Sequence, residues 1–66
     1  MNISEAVEII DQQAKRDGVG VLELLETIDR YGALWYIQEA KLGIEFLTAF
    51  NVFMDAGRQM FAKVEA

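Results

Sequence analysis

The side chains of this 66-residue chain that could do chemistry are carboxylates and a few hydroxyls. Carboxylates pair at helical spacing, Glu5 with Glu8 and Glu23 with Glu26. Inward-facing acids of that kind hold di-metal centres in helical bundles, but those centres add a histidine three residues after a glutamate. The chain has no His, and with no Cys either it can build neither a zinc site of the usual kind nor a disulfide. The paired acids alternate with apolar residues as a solvated helix face does, so no metal and no cofactor is expected. The hydroxyls of Ser4, Thr27, Tyr31, Tyr36 and Thr48 have no context resembling a nucleophile elbow or a triad. General acid–base work at neutral pH mostly calls on a group that titrates nearby, histidine above all. Gly18-Val19-Gly20 lacks the third glycine and the preceding strand of a phosphate-binding loop. No catalytic residue can be assigned, and the chain is expected not to be an enzyme.

The elements that would position these groups are helices. Proline is absent and strong helix formers dominate. A first helix is predicted over about 3–17. Asn2 followed by Glu5 has the form of a capping box, and Glu5 suits the positive end of the helix dipole. Ile3, Ala6, Val7, Ile10 and Ala14 keep the rhythm of one buried stripe, Lys15 and Arg16 fall in the last turn, and Gly18 can take a left-handed cap. A second helix is predicted over about 21–31, with Val21, Leu24, Leu25 and Ile28 as its apolar stripe and Gly32 as its stop. Residues 5–11 and 23–29 share four of seven positions, which two amphipathic helices on one template explain without a repeat array.

From 33 to about 64 nothing interrupts a helical pattern, and one continuous helix would span ~48 Å. Polar residues recur at Gln38, Lys41, Glu45, Thr48, Asn51 and Asp55 in steps of three and four, a narrow wet stripe. One apolar flank carries Trp35, Leu42, Phe46, Phe53 and Met60, and the other carries Tyr36, Leu47, Phe50, Met54 and Phe61. A helix dry on two flanks must be packed on two sides. The short N-terminal helices can supply one side. The other requires a second chain, or a break near Asn51 or Gly57 that folds the helix back. The expected architecture is a single all-α domain over 1–66, two short N-terminal helices followed by one long, largely apolar C-terminal helix, assembled as a homodimeric helical bundle. A domain this small buries only ~60% of its unfolded surface, and association is the stabilising device left to it.

The expected protein interface is Trp35, Leu42, Phe46, Phe50, Phe53, Met54, Met60 and Phe61, since aromatics and Met are enriched at interface cores. The net charge is −5, and the first thirty residues hold seven acids against three bases. Glu5, Glu8, Asp11, Glu23, Glu26 and Asp29 therefore form a possible acidic docking face. A chain without a basic stripe has no electrostatic footprint for nucleic acid, and helix two lacks the basic and amide side chains of a DNA-reading helix. Gln38, Glu39, Lys41 and Glu45 interrupt the only segment long enough to cross a bilayer, so no membrane partner is expected. The N-terminus has no basic stretch followed by an apolar run, so no signal peptide is expected; together with the lack of cysteine this places the chain in the cytoplasm. Size, acidity and missing catalytic residues are typical of small bacterial or phage accessory proteins. The expected partners are the chain itself and an unidentified protein, in a homodimeric adaptor or inhibitor acting by protein–protein interaction. The alternatives are a structural oligomerisation or assembly component, or an acidic nucleic-acid-mimic inhibitor.

Overall fold

In the computed structural model the backbone of residues 1–65 and the side chains of residues 1–59 are described. The described residues form four helices, α1 (Ile3–Asp17), α2 (Val21–Tyr31), α3 (Ala33–Glu39) and α4 (Ile44–Glu65), within dimensions of 38 × 24 × 20 Å. No described helix is long and apolar enough to cross a membrane.

Local signals account for the first three elements. Asn2, extended at φ −92° and ψ 172°, accepts a 2.9 Å hydrogen bond from the Glu5 backbone N–H, while its own amide donates to the Glu5 carboxylate at 3.2 Å. One of the orphan donors of the first turn is thereby satisfied. At the other end Gly18 adopts φ +71°, and its N–H and that of Val19 return to the carbonyls of Lys15 and Ala14. This pair of bonds is a Schellman closure, which needs a left-handed residue that glycine fills without strain. Gly32, at φ +97° and ψ 145°, lies where only glycine is at ease, and it turns α2 into α3 with no intervening loop.

The segment expected as one helix from 33 to 64 is two, and the break falls at Ala40–Gly43, well before Asn51 or Gly57. The cause is a second Schellman closure. Lys41 takes φ +56°, the only non-glycine described with positive φ. Its N–H donates to the Gln38 carbonyl at 3.3 Å and the Leu42 N–H donates to the Ile37 carbonyl at 2.9 Å. Ile37 and Leu42, the residues at the two ends of that closure, both pack against the core. A left-handed lysine costs ~1–2 kcal/mol relative to a helical one. That cost is offset by turning α4 back over the rest of the chain.

α4 lies along α1. Gln12, Gln13 and Arg16, late in α1, border the same concavity as Leu42, Gly43, Glu45 and Phe46, so the two helices run antiparallel. Fully buried alanines, Ala6 on α1 and Ala49 on α4, let the helices approach closely. The core gathers Ile10, Ala14, Leu24, Ile28, Tyr36 and Phe46 from all four helices. The break therefore performs inside one chain much of the covering that a second chain was expected to provide. Ile3 and Val7, read as part of the buried stripe of α1, are each 44% exposed. Val7 sits about 60° around the helix from Ile10, which centres the buried side, and so falls on its edge.

Candidate functional site

A buried polar cluster joins the end of α1 to α3. Gln13 is only 7% exposed, and its side-chain amide donates to the Asp17 carboxylate and to the Tyr36 hydroxyl, both at 3.2 Å. The Tyr36 hydroxyl in turn donates to the other Asp17 oxygen. Burial, reinforced by that bond to a carboxylate, pushes the Tyr36 hydroxyl up to about 12, and the Gln13 amide works in the opposite sense. The three side chains tie the end of α1 to α3. Among the described residues every buried side-chain polar atom has a partner, and no three carboxylates gather closely enough to hold a metal ion.

Besides Met1, Ile3 and Val7 near the N-terminus and Ile44 at the start of α4, the exposed large apolar side chains fall in two places. The first is the outer corner of α2 and α3. Tyr31 is 54% exposed, Leu34 68% and Trp35 43%, with the Tyr31 and Trp35 rings tilted at 31° and 4.7 Å between centroids. The second is a groove between α2 and α4 of about 250 Å³, lined by Leu22, Leu25, Glu26, Asp29, Phe50 and Met54. No described Cα of α2 comes within 8 Å of one in α4, so the groove floor is made by side chains alone. Leu25 and Phe50 are half-buried, whereas Leu22 at 77% exposure and Met54 at 38% stand on opposite lips. Glu26 and Asp29 complete its rim.

The residues expected at an interface are thus dispersed. Trp35 is on the corner, and Phe50 and Met54 are in the groove. Leu42 and Phe53 are half-buried against the core. Phe46, expected at the centre of a dimer seam, is instead 5% exposed inside the chain's own core, its ring 5.6 Å from that of Tyr36. The side chains of Met60 and Phe61 lie outside the described residues. The expected acidic face also divides. On α1, Glu5 serves the Asn2 cap, Glu8 accepts a 3.4 Å bond from Gln12, and Asp11 pairs with Lys15 at 3.1 Å. On α2, Glu26 and Asp29 border the groove while Glu23 does not.

Sequence reasoning passed over Leu22 and Leu34. Each is a large aliphatic side chain out of phase with the apolar stripe of its helix, and that mismatch was the available signal. Ile44 is 79% exposed in the first turn of α4, where the break leaves it without a neighbour to cover it. Gln13 gave no signal in the one-dimensional pattern, because its partner Tyr36 is twenty-three residues away. Compared with protein-family models, with curated proteins and with solved structures, the chain matches none.

Proposed function

We propose that the chain is a small acidic, non-catalytic protein-binding module, a homodimeric adaptor or inhibitor that works by contact alone. The observation that carries this reading is the aromatic corner of Tyr31, Leu34 and Trp35. Tyr31 and Trp35 stand ring against ring, and Leu34 is next to Trp35 in the sequence, none of the three less than 43% exposed. Aromatic residues of this kind dominate interface energetics when a partner desolvates them. The three side chains that would meet a second copy there are uncharged, although Asp29, Arg30 and Glu39 lie close by in the sequence. Two-fold pairing there would stack the Tyr31–Trp35 unit against its mate in a self-complementary patch.

An adaptor needs a second face that the first leaves open. Nine residues separate Leu22 from Tyr31, about two and a half turns, which sets the groove and the corner on opposite sides of α2. Self-association through the corner leaves the groove accessible. This division favours an adaptor or inhibitor over a component built only for assembly. The α1 acids, engaged in capping and in contacts along their own helix, favour it over a nucleic-acid mimic.

Sedimentation equilibrium at micromolar concentration tests the reading. The expected species is twice the 7.5 kDa mass of the chain. Leu34→Asp, at an exposed position, should return it to a monomer with unchanged helical circular dichroism. A wild-type chain that remains a monomer at high micromolar concentration overturns the dimer.

A further inference from the structure

We infer that the groove between α2 and α4 is a docking site for a cationic amphipathic helix of a partner protein. The inference rests on the protein-binding reading above and names the chemistry of the target.

The shape of the groove selects the form of the occupant. From Leu22 to Asp29 its α2 wall runs for two helical turns, ~10 Å, which matches one row of side chains at positions i, i+3 or i+4, and i+7 of an incoming helix. Leu25 and Phe50 supply a floor without a charge, and Leu22 and Met54 can close over an apolar row from either side. Methionine suits such a lip because its unbranched chain adapts to what it covers.

The rim selects the charge. Glu26 and Asp29 are three residues apart on α2, within reach of one another's solvent, and neither makes an ion pair among the described residues. Arg58, the one cation among the described side chains of α4, lies 3.9 Å from Asp55 on its own helix. Lys or Arg flanking an apolar row would meet both rim acids, and opposite charges across a rim set the orientation and speed the encounter. A second copy of this chain fits poorly. Two-fold contact through the same groove would bring Glu26 and Asp29 up against their own counterparts, and like charges brought together oppose association.

The test uses the full chain and a fluorescently labelled synthetic helix of about 18 residues, leucine on one face and lysine on the other, with a glutamate-for-lysine companion. The lysine peptide should bind and the glutamate peptide should not. Reversing the rim with Glu26→Lys and Asp29→Lys should weaken the lysine peptide by roughly tenfold at low salt, with the difference shrinking as salt rises. Leu22→Ser with Met54→Ser, both at exposed positions, should weaken it by about tenfold at any salt. The equal charge change Glu8→Lys with Glu39→Lys, away from the groove, should leave affinity within about twofold. The inference is overturned if the lysine peptide fails to bind, or if the two charge reversals weaken it equally. It is also overturned if Leu22→Ser with Met54→Ser abolishes the dimer, since the groove is then the seam between copies. A dimer that Leu34→Asp dissociates, together with a peptide that does not bind, would remove this inference and leave the reading of the corner intact.

Discussion

Tyr36→Phe removes one oxygen atom and with it the hydrogen-bonded link between α1 and α3, while the ring keeps its place in the core. In the parent that hydroxyl donates to the Asp17 carboxylate and accepts from the Gln13 amide. A hydrogen bond to a charged group contributes ~1.5–3 kcal/mol and a neutral one ~0.5–1.5 kcal/mol. Gln13 keeps its 3.2 Å bond to Asp17, so no buried donor is stranded and the loss should fall near ~2 kcal/mol. A domain of this length has ~3–10 kcal/mol of stability in total, so the change is large enough to read by urea denaturation followed at 222 nm.

The same hydroxyl makes a second, independent signature. Its folded value of about 12 lies above the unfolded 10.0, so the folded state holds the proton more tightly. The stabilisation is fully present below pH 10 and is lost as pH rises from 10 to 12. Two pH units correspond to ~2.7 kcal/mol as an upper bound. The measurement belongs in a Tyr31→Phe background, where Tyr36 is the only phenol. Ultraviolet absorbance should show ionisation displaced towards pH 12 and coincident with loss of helicity. Lysines titrate in the same range, and subtracting the Tyr36→Phe profile removes their share. Ionisation of Tyr36 near pH 10 in the folded protein, or equal stability of the two proteins at neutral pH, would refute the reasoning.

Three further outcomes follow from other parts of the fold. Phe46→Ala should cost ~3–5 kcal/mol and leave the chain largely unfolded by circular dichroism, whereas Glu26→Lys on the groove rim should change stability by no more than ~0.5 kcal/mol. Lys41→Gly should stabilise the chain by ~0.5–1 kcal/mol and so raise the urea midpoint, because it relieves a left-handed lysine; a lower midpoint would mean that the Lys41 side chain contributes more than its backbone costs. Addition of EDTA should leave the melting temperature unchanged, and a drop of several degrees would show that carboxylates bind a cation.

What could be read from the sequence was what local signals encode. Asn2 with Glu5 marks a helix start within four residues, and Gly18 and Gly32 mark stops by residue type. The break at Ala40–Gly43 was missed because its left-handed residue is a lysine. The motif is the same as at Gly18, down to the returning bonds from the two residues after the helix, and Ile37 and Leu42 both pack against the core. Only the glycine is missing. Gly43 two positions on was legible as a glycine, but it follows the turn and does not make it. What selects the break is tertiary, since Leu42 and Phe46 reach the core only if the chain turns there.

That single turn explains how the candidate site was read. Assigning Trp35, Leu42 and Phe46 to one flank presumes one helical phase from 33 onward. The turn resets the phase, so Trp35 on α3 is left at the surface while Phe46 on α4 is carried into the core. Within α4 the phase is intact, and Phe50 and Met54 stay together as a helical pair should. The acids of α2 were legible as exposed, yet nothing in a linear pattern connects residue 26 with residue 54. The sequence presents apolar and acidic residues as two separate sets. The fold brings a member pair from each, Phe50 with Met54 and Glu26 with Asp29, around one groove. Under the proposed docking, an apolar row of the incoming helix would cover Leu25 and Phe50 while its flanking cations met these acids. The candidate groove therefore exists only in the juxtaposition that follows from the Lys41 turn, which is why no residue taken alone announced it.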